Sequence, residues 1–198
     1  WEQFFEFDGT KIKQFPLPNS TPLAISAVLK ELAITLERLS PTVRSSLPVS
    51  EWQWSTSNEA HSEILHKMIA LQEELDWECY RIYALTADDL CSSRGSEIPR
   101  VRLGERAFEI AFARRVADGD IETTWFERHR STPRTEIPDD WPEDYRALVQ
   151  RRLDAIEANH SIRLIEQPEY KRRWNVEPWE EQAVRELRGW LLTRLEDS

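Results

Sequence analysis

Ser57-Asn58-Glu59-Ala60-His61-Ser62-Glu63-Ile64-Leu65-His66-Lys67-Met68-Ile69-Ala70-Leu71-Gln72-Glu73-Glu74-Leu75-Asp76-Trp77-Glu78-Cys79-Tyr80-Arg81-Ile82 contains neither proline nor glycine. His61, Ile64, Met68, Leu71, Leu75, Cys79 and Ile82 recur along it at steps of 3, 4, 3, 4, 4 and 3. That spacing keeps one stripe on one face of an α-helix, close to a coiled-coil seam. Ser57 and Asn58 are placed to cap it. A helix over 58–85 would be roughly 40 Å long at about 1.5 Å per residue.

Upstream, Ile25, Val28, Leu29, Leu32, Leu36 and Leu39 form a second stripe, predicting a helix over about 21–39. Ser20-Thr21-Pro22 opens it with a capping hydroxyl, and Ser40-Pro41 closes it. The loop 40–57 carries Trp52 and Trp54. Two long striped helices joined by a loop imply an antiparallel hairpin, as core or as a spacer arm.

Downstream the pattern repeats in shorter pieces. Phe108, Phe112 and Val116 predict a helix over 104–117, with Gly119 as its end signal. Tyr145, Leu148, Val149, Leu153 and Ile156 mark the inner face of a helix over 143–158. Pro178 opens a final helix striped by Val184, Leu187, Leu191 and Leu195, and Glu180 and Glu181 suit its N-terminus. Pro133, Pro138 and Pro142 mark an irregular loop; Ile121–Trp125 and Ser161–Ile165 are ambiguous. Five glycines in 198 residues leave little material for tight β-turns. The fold class is therefore mainly α. The exception is the N-terminus, where Glu2–Phe7, the Asp8-Gly9 turn and the alternating Lys11–Phe15 read as a short β stub.

The expected organisation is a β stub over 1–18, a helical hairpin over 19–90 and a C-terminal helical domain over 100–198. The boundary falls in the polar connector 86–99, most flexible around Ser92–Ser96. Because the chain opens on Trp1, it reads as a piece of a longer protein. No apolar run reaches the ~20 residues of a membrane helix, and no targeting segment is visible. Cys79 and Cys91 read as reduced residues of a cytoplasmic protein, with a disulfide between them as the alternative.

A net charge of −10 argues against a generic nucleic-acid binder, since phosphates are held by Lys and Arg. Two local clusters stand against that trend: Arg128, Arg130 and Arg134, and Lys171, Arg172 and Arg173 beside Trp174. Lys11 and Lys13 are a third candidate. The competing reading pairs them with nearby carboxylates such as Glu166, Glu169 and Glu177. Pro138-Asp139 with Glu169-Tyr170-Lys171 has the order of a metal-nuclease motif. It is short, however, and lies in a proline-rich loop rather than on paired strands. His61, His66, His129 and His160 are not spaced as metal ligands, and no phosphate loop or nucleophile elbow appears. No catalytic, cofactor or metal residue emerges.

A family resemblance goes further. Asp8-Gly9-Thr10-Lys11-Ile12-Lys13-Gln14-Phe15-Pro16-Leu17-Pro18 resembles the closing segment of a target-recognition domain in large adenine DNA methyltransferases of restriction type. Glu74–Thr86 is similar to the helical segment after that domain, with Tyr83-Ala84-Leu85 where the family usually has Tyr-Gly-Leu. Arg163–Trp174, with the surroundings of Trp125-Phe126 and Trp179, looks like the C-terminal region of the phage-growth-limitation (PglX) family of type 2 BREX phage defence. The resemblance implies adenine-N6 methylation of DNA with S-adenosylmethionine. The family's Asn-Pro-Pro-Tyr-type motif and glycine motif are absent here. What it implies for this stretch is support of DNA recognition, or docking of other defence proteins. Arg128, Arg130, Arg134, Lys171, Arg172, Arg173, Lys11 and Lys13 are the candidate contacts, and a protein-interaction domain without DNA contact is the alternative.

Overall fold

In the computed structural model, residues 9–92, 98–174 and 177–196 are described. Among them every regular element is helical: α1 Gly9–Gln14, α2 Leu23–Arg38, α3 Pro41–Ser45, α4 Trp54–Ile82, α5 Ala107–Ala117, α6 Trp125–Arg128, α7 Glu143–Ala158, α8 His160–Ile165 and α9 Trp179–Glu196. A single 3-10 turn spans Val49–Glu51. None of these helices is long and apolar enough to cross a membrane.

The mainly α reading stands, and the second N-terminal strand does not. Residues 2–7 lie outside the described segments. The stretch expected as the second strand is α1. Five alternating residues also satisfy an i, i+3 helical spacing, and no partner strand is present among the described residues to favour extension.

Helix starts depart from the expected caps in instructive ways. The Ser20 and Thr21 hydroxyls do not cap α2, which begins after Pro22 without a side-chain cap. Helix α4 begins at Trp54, not at Ser57 or Asn58. Gln53 precedes it in the left-handed region (φ 43°), and Trp52 and Trp54 stack edge to face at 5.3 Å. The helix thus starts about one turn before those caps. Ser57 is buried, and Asn58 instead donates to Glu180 at 2.7 Å. Where a cap forms, it is local and polar: Asn159 Oδ1 accepts from the backbone N–H groups of Ser161 (2.9 Å) and Ile162 (3.2 Å), and starts α8. Helix α5 ends as its glycine implied. Gly119 has φ 81°, and the Asp120 N–H reaches the Arg115 carbonyl at 2.9 Å, closing a Schellman turn.

The main core gathers Met68, Ile69 and Trp77 of α4, Ala107 and Ile110 of α5, Tyr145, Leu148, Val149 and Leu153 of α7, and Ile162 of α8. Helix α2 lies along α4 and adds Leu29, Leu32 and Leu36 to its edge, without burying any residue fully. At one end of α4, Tyr83 Oη donates to the Pro16 carbonyl at 3.0 Å. At the other, Trp54 stacks on Trp179 of α9, whose indole N–H donates to the Leu39 carbonyl at 3.0 Å. A second cluster is aromatic: Phe108, Trp125 and Phe126, with Phe112 against them.

The final helix carries a correction. Its stripe is mostly left open: Val184 and Leu191 are 59% and 53% exposed, while Leu187 is half-buried. Trp179 and Ala183 are the residues it buries. The helix is fastened at its first turn, across α3 and through Trp190, which packs edge-on against Trp52 at 5.2 Å.

Candidate nucleic-acid and partner interface

The turn Arg102–Arg106 sits between the two arginine clusters. The Arg102 N–H donates to Glu105 Oε2 at 2.8 Å, and the Glu105 N–H returns to the Arg102 carbonyl at 3.2 Å. Gly104 makes this possible: it has φ 94°, and an added Cβ would meet the Thr132 carbonyl oxygen at 2.1 Å. The turn is thus pressed against the loop that carries the first cluster. Glu105, itself buried, holds the Arg134 Nε at 3.5 Å. Arg106 is buried, forks onto Glu109 at 2.9 Å through both Nε and Nη2, and uses Nη1 to donate to the Arg172 carbonyl at 2.9 Å. The guanidinium of Arg172 lies 4.5 Å from the Trp174 ring centroid. One turn therefore holds the Arg134 side chain through Glu105 and the Arg172 backbone through Arg106.

Arg128 and Arg173 are exposed, and neither forms an ion pair among the described residues. Arg130 faces Glu181 of α9 at 3.2 Å. Both partners are more than half exposed, so the pair contributes little and is easily exchanged. Lys13 is exposed on α1; the side chain of Lys11 lies outside what the structure describes. Sequence reasoning missed exposed Arg102, whose only signal was the unassigned Arg100-Val101-Arg102 repeat.

Lys171 departs from its cluster. Its ammonium is buried, 2.6 Å from both Glu166 and Asp76 and 3.2 Å from the Tyr80 oxygen. Burial works against the charged amine, but the two carboxylates outweigh it and raise its pKa. It is a core cation, and a phosphate could reach it only by displacing both carboxylates.

The same interior holds a second cage. Arg152 is fully buried and its Nη2 donates to both oxygens of Glu74 at 2.8 Å, while Nε donates to the Leu90 carbonyl at 3.0 Å. Glu73 caps α5 by accepting the Ala107 N–H at 3.0 Å. Arg152 Nη1 stands 3.6 Å from it, too far for a hydrogen bond. Burial raises the Glu73 carboxyl to about 7, against the pull of Arg152. Cys79 and Cys91 are free thiols. Burial, then the Glu78 carboxylate accepting from it, push Cys91 up to about 12. These groups are structural, since each is spent on another part of the fold.

The nuclease-like order does not become a site. Asp139 is exposed and faces Arg146 at 3.4 Å, Glu169 is exposed, and Lys171 is enclosed by Glu166 and Asp76. Among the described residues no group of three His, Cys, Asp or Glu side chains is placed to hold a metal ion. His61 and His66 are half-buried, and burial lowers the pKa of both.

No solved structure matches the chain. It is similar over its whole length to the adenine-specific methyltransferase PglX of Streptomyces coelicolor, with 45% identity over 205 residues. The chain spans 17% of that protein's length and lines up with its C-terminal part. Residues 68–198, from the middle of α4 to the end, match the family described as a domain of unknown function, DUF7008. The chain belongs to the DUF7008 family, and the DUF7008 domain it carries is of the kind found in the C-terminal part of a PglX methyltransferase.

Proposed function

We propose that this chain is a non-catalytic C-terminal part of a site-specific adenine-N6 DNA methyltransferase of a cytoplasmic anti-phage system of the BREX type. Its task is to support DNA recognition through the arginine surface around the Arg102–Arg106 turn. The whole-chain identity to PglX carries the reading. S-adenosylmethionine chemistry belongs to the parent protein. Methyltransferase cofactor sites are built at the carboxyl ends of parallel strands behind a glycine-rich turn, and the described residues contain neither. Within this frame 1–18 closes the recognition domain, α2 and α4 form the spacer, and 100–198 is the docking domain. Arg102, Arg128, Arg134, Arg172 and Arg173 contact phosphate; Arg130 joins them when Glu181 is displaced.

The test is binding of a labelled duplex by the chain at 50 and 200 mM salt, beside Arg134→Glu/Arg172→Glu/Arg173→Glu. The expected result is affinity that falls steeply with salt, a loss of at least about tenfold in the variant, and a shallower salt slope. No binding at low salt would sink the reading. It would favour the second one, docking of a defence protein without DNA contact, which the −10 net charge and the exposed Val184, Leu191 and Leu192 of α9 support.

A further inference from the structure

A groove of about 780 Å³ opens where α5, the end of α7 and the segment after α8 converge. Its floor is apolar, made of Phe108, Phe112, Ile121, Ile156 and Pro168. Its rim is acidic: Asp118 and Asp120 follow α5, Glu122 comes next in the chain, Glu157 closes α7, and Glu169 follows α8. All five carboxylates are exposed, and none forms an ion pair among the described residues. Three guanidiniums share the lining, and two are held to backbone: Arg114 donates to the Thr135 carbonyl at 2.8 Å and Arg163 to the Glu157 carbonyl at 2.7 Å.

Two features add to the negative rim. The carboxyl end of α5 lines the groove and carries the negative pole of its helix, whereas that of α7 is capped by the Arg163 guanidinium. The Schellman turn at Gly119 fixes Asp118 and Asp120 beside that pole, where acidic residues are ordinarily unfavourable. Such an arrangement persists at a cost to the isolated chain, which a cationic occupant would offset. Nucleic acid is repelled by it, whereas a polypeptide offering lysines and arginines with one or two large apolar side chains matches both rim and floor.

We propose that this groove docks a basic, apolar-anchored segment of a partner protein. The bound segment lays an aromatic or leucine side chain against Phe112 and Ile121 and sets its cations against Asp118, Asp120 and Glu122. The site is separate from the arginine surface, so each can fail without the other.

The experiment measures fluorescence anisotropy of a labelled twelve-residue Lys/Leu peptide with the full chain at 150 mM salt. A Lys/Ser peptide of equal charge and a Glu/Leu peptide serve as probe controls. Asp118→Asn/Asp120→Asn/Glu122→Gln should weaken Lys/Leu binding by about tenfold, while Glu31→Gln/Glu37→Gln/Glu51→Gln leaves it unchanged. Ile121→Ser should weaken it with the rim intact, and melting curves check that each variant folds. The proposal is overturned if the Lys/Leu peptide does not bind, if the Lys/Ser peptide binds equally well, or if both charge triples weaken binding alike.

Discussion

Replacing Arg152 with methionine should come close to unfolding the protein. The guanidinium is fully enclosed, holds both oxygens of Glu74 at 2.8 Å and satisfies the Leu90 carbonyl at 3.0 Å. Methionine fills similar volume, so the loss is electrostatic rather than steric. It leaves two buried carboxylates without their cation, and breaking a buried pair from one side costs about 3–5 kcal/mol. Domains of this size are stable by only ~5–15 kcal/mol. At about 2–4 °C per kcal/mol, the expected fall in Tm is about 6–20 °C. Thermal melts followed by circular dichroism measure the fall in Tm, and urea melts followed by tryptophan fluorescence measure the free-energy loss. The double variant Arg152→Met/Glu74→Gln should recover at least ~1 kcal/mol relative to Arg152→Met, because one stranded charge is removed. A loss below about 1 kcal/mol for Arg152→Met, or no recovery in the double variant, would refute the claim that this cation holds the interior together.

Two further outcomes follow from the same geometry. Glu73 titrates near 7 when folded and at the ordinary 4.5 when unfolded, so between those pH values the folded state holds more protons and this group lowers stability as pH rises, by ~3 kcal/mol in all. Glu73→Gln keeps an oxygen for the Ala107 N–H and removes that slope, so urea melts at pH 5 and pH 7.5 should differ by less in the variant than in wild type. Gly104→Ala meets both a left-handed backbone and the Thr132 carbonyl, so it should cost more than ~1 kcal/mol in thermal melts and weaken duplex binding by displacing Arg134. A variant as stable as wild type would contradict the tight turn.

Long periodic segments were legible. The stripes of α2, α4, α5 and α7 and the glycine stop of α5 were plain, because burial of one face imposes its own spacing on many residues at once. Short segments were not: α1 rests on too few residues for alternation and helical spacing to differ. The stripe of α9 was read correctly as helical, but most of it is exposed, since periodicity reports amphipathy and not what lies opposite. The charge network was hidden for a different reason. Lys171 looks like one of three adjacent surface cations; its pairing with nearby Glu166 was the competing reading, and distant Asp76 completes the enclosure. Glu73 and Glu74 likewise sit on a helix that reads as solvated there, until α5 and α7 close over them. Arg102 and the turn that joins the two arginine clusters could be found only in three dimensions.

The enclosed charges also constrain how this chain can diverge. Arg152 with Glu74, and Lys171 with Asp76 and Glu166, tie α4 to α7 and to the segment after α8. Either partner changed alone strands a charge, while both changed together to apolar residues can be neutral. The single-step intermediate is worse than either end. Descendants of this sequence should therefore keep these pairs intact or lose them as a set, and their joint loss in a relative would mark an old lineage split rather than a recent drift.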